Sequence, residues 1–259
     1  SYICTQTLNL THMDEKLLLL GDEAIALGAI HAGLSGVYAY PGTPSTEITE
    51  YIQGNPMAAE RKIHCRWSAN EKTAMEAALG MSYMGKRAMV CMKHVGMNVC
   101  ADAFVNSAMT GTNGGLVVVA ADDPSMHSSQ NEQDSRFYGK FAMVPVFEPS
   151  SQQEVYGMMK DAFELSERYK LPVVLRMVTR MAHSRAVVET AEIREPNAMT
   201  YPDNPKDWVL LPAVARKRNV RLVGLQKDLL QEAENSKYNK LIDGKDKSLG
   251  IIACGIAYN

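Results

Sequence analysis

The sequence predicts an α/β protein built on a doubly wound parallel sheet of about six strands, with helices on both faces. Short apolar segments alternate along most of the chain with segments whose apolar residues recur every three or four positions. Residues 116–121 form a continuous aliphatic run, which is typical of a strand covered on both faces. Polar side chains follow several of the predicted strands, where open parallel sheets bind their ligands.

The composition is that of an ordinary globular protein and excludes several functional classes. The 259 residues are 46% hydrophobic and 22% charged, with a formal net charge of −2. No basic stripe indicates nucleic-acid binding, and aliphatic runs such as residues 17–20 are too short to span a bilayer. The five cysteines lack Cys-x-x-Cys spacing and fit a reducing compartment. We therefore expect a cytoplasmic protein with neither a membrane nor a nucleic-acid partner.

Strands and helices are predicted in regular alternation. The predicted strands are 37–40, 63–67, 87–92, 116–121, 144–147 and 172–177. The predicted helices are 21–32, one capped by Ser45, 70–84, one near 96–110, 136–142 and 151–169. Residues 122–135 form a long polar loop after a central strand, and loops of this length are usually functional.

The domain organisation predicted from these patterns has four parts. Residues 1–15 are expected to be a disordered leader, and 16–190 to form the sheet domain. Prolines punctuate residues 191–247, which we expect to be a linker carrying a charged, solvent-exposed helix at about 213–238. The apolar run in 248–259 predicts another buried strand, hence the truncated start of a following domain.

A candidate site is predicted around Glu71, which lies where a strand turns into a helix. Asn70 is the expected N-cap of that helix, so Glu71 falls in its first turn. Acids are common at helix N-termini, which is the simplest explanation of this residue. However, Lys93 and His94 follow the next strand, and carboxyl ends of parallel strands meet at one edge of the sheet. Dinucleotide, P-loop and serine-nucleophile motifs are absent, and the histidines show no metal-ligand spacing.

Four segments carry a more specific pattern. They are Tyr40-Pro41-Gly42-Thr43-Pro44-Ser45, Asn70-Glu71, Met92-Lys93-His94-Val95-Gly96-Met97-Asn98, and Asp122-Asp123-Pro124 with the loop from His127 to Arg136. In order and spacing over residues 16–190, these segments resemble the 2-oxoacid:ferredoxin oxidoreductases. Within that family they are similar to the N-terminal pyrimidine-binding (Pyr) domain of the large (alpha) subunit of the indolepyruvate:ferredoxin oxidoreductase type. The resemblance implies the thiamine diphosphate-binding pyrimidine-domain fold.

The resemblance also implies roles for single residues. A glutamate at the corner of this fold shares a proton with N1′ of the thiamine diphosphate aminopyrimidine, which promotes loss of the thiazolium C2 proton, and Glu71 matches it as a catalytic and cofactor-binding residue. The residues that match the cofactor lining are Lys93, His94, Val95, Gly96 and Asn98. The residues that match the substrate loops are Thr43, Ser129, Gln130 and Arg136. Turn capping by Thr43, an ordinary hydrogen-bonded His94 and a solvated Arg136 stay open as alternatives.

Two motifs of the complete enzymes are absent from this sequence. One is the Gly-Asp-Gly…Asn motif that holds Mg²⁺ and the diphosphate, and the other is the Cys-x-x-Cys-x-x-Cys run that binds [4Fe-4S] clusters. The resemblance therefore implies that Mg²⁺ and the diphosphate are held by a separate diphosphate-binding (PP) domain of the same or a neighbouring subunit. It also implies that the clusters lie elsewhere in the full-length subunit and that this chain ligates no metal. Further implied partners are a smaller beta (gamma-type) subunit, ferredoxin and a second copy in a homodimer.

The implied reaction is the oxidative decarboxylation of indolepyruvate and other aryl pyruvates to acyl-CoA, with reduction of ferredoxin. The chain alone is expected to be inactive. Two alternatives stay open: a Pyr-domain subunit of another 2-oxoacid oxidoreductase or decarboxylase, or a non-catalytic assembly module that keeps only the fold. A partner bearing iron–sulfur clusters would separate the ferredoxin-linked enzymes from a decarboxylase.

Overall fold

The structure, a computed structural model, describes residues 15–259. Its strands are β1 Lys16–Leu20, β2 Gly36–Ala39, β3 His64–Trp67, β4 Ala88–Lys93, β5 Leu116–Asp122, β6 Val146–Phe147, β7 Val173–Val178 and β8 Arg185–Glu189. Its α-helices are α1 Gly21–His31, α2 Thr46–Gly54, α3 Pro56–Glu60, α4 Glu71–Tyr83, α5 His94–Thr110, α6 Arg136–Ala142, α7 Gln152–Tyr169, α8 Thr179–Ala182 and α9 Pro212–Glu234. Two short 3-10 helices follow at Pro205–Trp208 and Gly255–Tyr258.

Strands β2 to β7 form one parallel six-stranded sheet in the order β3-β2-β4-β5-β7-β6. The predicted α/β class and doubly wound sheet are therefore confirmed. The chain passes from β2 to β3 on one side, then returns to β4 on the other side of β2 and continues to β5. The strand order thus reverses between β2 and β4, and the carboxyl end of such a switch point is where doubly wound sheets bind ligands.

Both faces of the sheet are buried by helices. Along β4, Met89 and Cys91 pack into the cluster formed with α1, α2 and α7, whereas Val90 and Met92 pack into the cluster with α4 and α5. This alternation is the period of two that a strand imposes on its side chains. Every residue of β5 is buried, as the aliphatic run predicted. At about 25 cal/mol per Å² of apolar surface, this two-sided core is the main source of stability.

A second, two-stranded sheet was not predicted. β1 and β8 pair antiparallel, with Leu18 opposite Val187. Both of these side chains are exposed, while Leu19 and Val188 point into the core. The aliphatic run at 17–20 shows that a strand is possible, but its partner lies near the other end of the domain, so no local pattern identifies the pair.

Helix α9 differs from the exposed linker helix that the charge pattern predicted. Leu222 is buried, and Leu225 and Leu229 pack beside it against the α5 side of the core. Arg221 donates a hydrogen bond to the Tyr169 carbonyl at 2.7 Å. One face of the helix is therefore part of the domain body, because its leucines recur at helical spacing among the charges. The boundaries at 16–190 and 191–247 stay predictions.

The buried strand predicted near residues 249–255 is not formed within the described chain. Residues 249–254 are neither helix nor strand, and Leu249, Ile251 and Ile252 are exposed. Apolar composition alone does not make a strand, and residues 249–254 pair with none of the described strands. That 248–259 begin a following domain stays a prediction. The leader predicted at 1–15 lies outside the described residues except for Glu15. None of the helices between residues 15 and 259 is both long and apolar enough to span a membrane.

A buried histidine at the end of α1 makes the stability of this domain depend on pH. His31 Nδ1 lies 2.7 Å from the Tyr156 hydroxyl, which itself accepts a hydrogen bond from the Ala191 amide. Burial, with help from the Arg61 charge, lowers the pKa of His31 from 6.5 to about 4. Between these values the unfolded chain binds the proton and the folded chain does not, so stability is full above pH 6.5 and is lost as the pH falls towards 4.

We expect this histidine to account for a loss of about 2–3 kcal/mol in the free energy of unfolding between pH 7 and pH 4. Urea unfolding of the wild type and of His31→Gln at a series of pH values measures it, since the variant should lose this part of the pH dependence. The matched control is His127→Gln, which removes an exposed histidine and should keep the wild-type slope. A His31→Gln slope equal to that of the wild type would contradict the assignment.

Candidate functional site

Four segments meet at the carboxyl edge of the sheet, around the switch point between β2 and β4. The turn with Thr43 follows β2, and Lys93 ends β4. Lys93 Nζ donates a hydrogen bond to the Ser128 carbonyl at 2.7 Å, and Ser128 Oγ donates one to the Thr43 carbonyl at 3.5 Å. The turn, the end of β4 and the 123–135 loop are thereby held together.

Glu71 opens α4 at the end of β3, next to β2. Asn70 is the predicted N-cap, and its side chain accepts a hydrogen bond from the Thr73 amide at 2.9 Å. The Glu71 side chain is folded inward, and the residue is 8% exposed. Its carboxyl group lies against Gly96 of α5: a Cβ placed on Gly96 would be 2.6 Å from Glu71 Cγ and 2.8 Å from Oε1. Glycine at position 96 therefore leaves the space that this carboxyl group occupies.

The segment Lys93–Gly96 is a helix N-terminus rather than the predicted loop. β4 ends at Lys93 and α5 begins at His94, so the helix starts before the predicted position near 96. The amide groups of the first turn have no partners within the helix, and the helix dipole makes this end partly positive. The Glu71 carboxyl group thus lies beside the partly positive N-terminus of α5.

The Glu71 carboxyl group forms no hydrogen bond with any residue of the part of the chain that the structure describes. Its negative charge is nevertheless felt nearby, because the pKa of the Cys100 thiol is raised to about 12 by burial and by the charge of Glu71. The residue is mostly shielded from water, and no described residue occupies its carboxyl group. Such a group is available to accept a proton or hydrogen bond from a ligand.

His94 is buried, and its ring positions the loop after β5. Nε2 lies 3.1 Å from the Asn131 carbonyl, and since a carbonyl oxygen only accepts, Nε2 carries the proton. The other ring nitrogen, Nδ1, is buried and has no partner among residues 15–259. Of the open alternatives for His94, the structure supports a hydrogen-bonded histidine that holds the 123–135 loop.

The 123–135 loop is organised by Asp123. One carboxylate oxygen accepts from the Ser129 hydroxyl at 2.6 Å and from the Ser128 amide at 2.8 Å, and the other accepts from the Thr179 hydroxyl at 2.7 Å. Burial alone would raise the pKa of Asp123, but these hydrogen bonds hold it well below its usual range. Asp123 therefore stays ionised and fixes the loop. The sequence alone did not indicate this role for Asp123.

Arg136 begins α6 and is paired with acids of this chain. Its Nε and Nη2 atoms contact the Asp134 carboxylate at 2.9 and 2.6 Å, and Nη1 contacts Glu148 at 3.3 Å. Arg176, an arginine within buried β7, joins the same network through Asp122 at 2.7 Å. The side chain of Arg136 is 44% exposed, so the solvated alternative is not contradicted, and the residue is also paired with these acids. The arginine within an otherwise apolar strand was the unused signal for this network.

The remaining predicted residues lie on the rim of this site. The side chains of Thr43 and Gln130 are exposed and have no hydrogen-bond partner among the described residues. Asn98 is exposed on α5 and accepts a hydrogen bond from Tyr138, while Val95 is half-buried in the first turn of that helix. Ser45 starts α2, but its hydroxyl donates to the Gly42 carbonyl at 2.8 Å and does not cap the helix as predicted.

The sequence is similar to a known family and to curated proteins. Residues 27–228 match the thiamine diphosphate-binding family of pyruvate flavodoxin/ferredoxin oxidoreductases. The chain is 48% identical over 249 residues to indolepyruvate oxidoreductase subunit IorA of Archaeoglobus fulgidus, covering 94% of this chain and 40% of that protein. It is 45% identical over 247 residues to the IorA subunit of Methanothermobacter thermautotrophicus, covering 95% and 40%. The chain thus spans about 40% of the length of these relatives.

Solved structures share the fold. A 2-oxoglutarate:ferredoxin oxidoreductase from Magnetococcus marinus, with 2-oxoglutarate, coenzyme A and succinyl-CoA bound, matches with a TM-score of 0.66 at 19% identity. The match covers 84% of this chain and 46% of that one. Because the family match runs from α1 into α9 and includes all four segments of the site, this chain belongs to the thiamine diphosphate-binding family of pyruvate flavodoxin/ferredoxin oxidoreductases.

Proposed function

We propose that this chain is the aminopyrimidine-binding portion of an oxidoreductase that converts indolepyruvate and other aryl pyruvates to acyl-CoA and reduces ferredoxin. The observation that carries the proposal is the position of Glu71: the residue is 8% exposed, no hydrogen bond from a described residue occupies its carboxyl group, and it lies at the switch point of the sheet. The choice of substrate rests on the identity to the IorA subunits, which are named as indolepyruvate oxidoreductase subunits.

The residues of the site fit a thiamine diphosphate aminopyrimidine. Glu71 offers a carboxyl group with no competing intramolecular hydrogen bond, and Gly96 leaves that group its space. The residues proposed to line the ring, around the first turn of α5, are Lys93, His94, Val95, Gly96 and Asn98. When bound, the cofactor supplies a thiazolium carbon that attacks 2-oxoacids once deprotonated. Glu71 holds the proton at N1′, and the first turn of α5 orients the Glu71 side chain.

The substrate contacts are proposed from side chains that remain available. Thr43 and Gln130 are exposed and without intramolecular partners among residues 15–259, so they can bind a carboxylate without breaking contacts. Ser129 and Arg136 already bind Asp123 and Asp134. We propose that Thr43 and Gln130 contact the 2-oxoacid directly, and that Ser129 and Arg136 contribute by exchanging a loop partner for the substrate.

The rest of the catalytic machinery is proposed to lie outside this chain. Mg²⁺ and the diphosphate would be held by the PP domain of the same or a neighbouring subunit, because the sequence has no Gly-Asp-Gly…Asn motif. The [4Fe-4S] clusters would lie elsewhere in the full-length subunit. We propose the smaller beta (gamma-type) subunit, ferredoxin and a second copy of the subunit as partners, and the cytoplasm as the location.

The proposal is tested by assaying the full-length subunit, produced with its smaller partner, for ferredoxin reduction. Reduction should require indolepyruvate, coenzyme A, thiamine diphosphate and Mg²⁺ together. We expect kcat/KM for indolepyruvate to exceed that for pyruvate and 2-oxoglutarate. Preference for 2-oxoglutarate would place the protein with another 2-oxoacid oxidoreductase, and release of aldehyde without ferredoxin reduction would indicate a decarboxylase. If no 2-oxoacid is turned over, the remaining hypothesis is a non-catalytic assembly module.

Gly96→Ala should impair the enzyme through Glu71. The added methyl group would lie 2.6 Å from Glu71 Cγ, a carbon close to the backbone that cannot move aside without turning the carboxyl group. Since a displacement of about 1 Å can cost about 10²-fold in rate, we expect kcat to fall by about 10²-fold. The control is Gly80→Ala in α4, where a Cβ meets no atom within 4 Å. Equal kcat of Gly96→Ala and Gly80→Ala would contradict the proposed role of the contact between Gly96 and Glu71.

A further inference from the structure

Three side chains with metal-binding groups converge beside the turn that carries Thr43. They are Asp22 in the first turn of α1, Glu47 in the first turn of α2, and His183 just after α8. One ligand atom from each lies within 4.8 Å of the other two, and His183 Nε2 is 3.6 Å from Glu47 Oε1. Gly21 permits this convergence, because a Cβ there would lie 2.3 Å from the Met181 carbonyl oxygen.

Asp22 is a buried carboxyl group without a partner. It is 0% exposed, and neither of its oxygens has a hydrogen-bond partner among the described residues. Oε2 of Glu47 is buried and unpartnered in the same way. Burial, together with the charges of Glu47 and Glu23, raises the pKa of Asp22 well above its usual range. A fully buried carboxyl group beside a second acid is stabilised by a proton or by a cation between them.

No arginine or lysine supplies that charge within the described chain. Among the described residues, Glu47 pairs with His183, and Asp22 has no cationic partner. The side chains of Glu47 and His183 are each 38% exposed, so an ion could enter from solvent and reach Asp22 at the base of the cluster. A cation could therefore reach the cluster from solvent and bind the buried Asp22 carboxyl group at its base.

The mixture of ligands selects a class of ion. Two carboxylates and one imidazole suit first-row divalent cations such as Zn²⁺ and Mn²⁺, whereas Mg²⁺ and Ca²⁺ prefer oxygen ligands alone. Two ligands at about 2.0–2.1 Å from a tetrahedral Zn²⁺ are about 3.3–3.4 Å apart, close to the separation of the His183 and Glu47 atoms. We propose that Asp22, Glu47 and His183 bind one first-row divalent cation of the Zn²⁺ class.

Such an ion would fasten three elements at the edge of the candidate active site. It would join the N-termini of α1 and α2 to the end of α8. Helix α2 starts directly after the turn that contains Thr43, and the Gly42 amide donates to Thr46 Oγ1 at 2.9 Å. The ion would therefore hold the Thr43 turn in place. None of its ligands is assigned to thiamine diphosphate or to substrate, so this site does not depend on the proposed function.

Metal binding is tested on the full chain after removal of bound metal with a chelator. Calorimetric titration with Zn²⁺, repeated with Mn²⁺, should show one saturable equivalent that Asp22→Asn and His183→Gln weaken by at least about 100-fold. Asp22→Asn keeps the shape of the side chain and removes its charge, so folding should survive, and circular dichroism checks this. The matched control is Glu50→Gln, which removes an exposed acid of the same helix α2 and should bind as the wild type.

A thermal measurement gives an independent readout. Zn²⁺ should raise the midpoint of unfolding of the wild type and of Glu50→Gln, and should leave that of Asp22→Asn unchanged. The proposal is overturned if the wild type binds no saturable equivalent of Zn²⁺ or Mn²⁺, or if Asp22→Asn binds and is stabilised like the wild type. Saturable binding of Mg²⁺ alone would overturn the assignment to first-row cations.

Discussion

Glu71→Gln in the full-length enzyme is expected to lower kcat for indolepyruvate oxidation by about 10²–10⁴-fold, the range for loss of a positioned acid–base group. The amide has nearly the same shape and can still donate or accept hydrogen bonds, but it cannot take and return a proton. The Glu71 side chain has no intramolecular hydrogen bond among the described residues, so the substitution breaks no contact of the fold. Stability should therefore change by less than about 1 kcal/mol, and the loss should be confined to catalysis.

The matched control for this prediction is Glu76→Gln. Glu76 is an exposed acid on the same helix α4, where it lies 4.0 Å from Lys72. We expect its kcat to stay within about two-fold of the wild type, because exposed ion pairs of this kind contribute little. If Glu71→Gln also kept wild-type kcat, Glu71 would not be the acid–base group and the non-catalytic module would be favoured.

Arg87→Met is expected to lower the free energy of unfolding by about 3–5 kcal/mol. Arg87 is fully buried and binds Glu167 through two hydrogen bonds of 2.8 and 2.7 Å, with a third of 2.8 Å to the Ala32 carbonyl. Burial would raise the pKa of Glu167, but the Arg87 hydrogen bonds and charge keep it below its usual range. Without the guanidinium, a largely buried carboxylate loses its counter-charge between α7 and the start of β4.

Chemical denaturation of the chain measures this loss, and two further variants isolate its cause. Arg87→Met combined with Glu167→Gln should lose less than the sum of the single variants, because no charge is left unpaired. Arg168→Met is the matched control: Arg168 lies on α7 next to Glu167, but its pair with Glu232 is exposed, and we expect a change below about 1 kcal/mol. A loss of that small size for Arg87→Met would contradict the importance assigned to this pair.

Much of the sheet and the centre of the site could be predicted because their determinants are local. The aliphatic run of β5 requires burial on both faces, and the structure buries every residue of it. The Asn70 cap and the small residues after Glu71 define where α4 begins, and hence where the acid lies. The order of strands and helices then brings the strand ends together at one edge, which is why Glu71 was expected to lie near Lys93 and His94.

What could not be predicted depends on partners that are distant in sequence. β1 pairs with β8, and α9 contacts α5. In both cases the sequence pattern of one segment does not indicate which other segment it contacts. The direction of the His94 ring depends on the Asn131 carbonyl across the site. Asp22 lies in the first turn of α1, where acids are common, and only the fold places Glu47 and His183 beside it.

The central claim, that Glu71 exchanges a proton with the cofactor, is tested most directly by hydrogen–deuterium exchange at the thiazolium C2 of thiamine diphosphate bound to the full-length enzyme. The exchange is followed by NMR after acid quenching, without any substrate. We expect exchange in Glu71→Gln to be slower than in the wild type by about 10²–10⁴-fold, with Glu76→Gln unchanged. Equal exchange rates in Glu71→Gln and the wild type, at full cofactor occupancy, would contradict the claim.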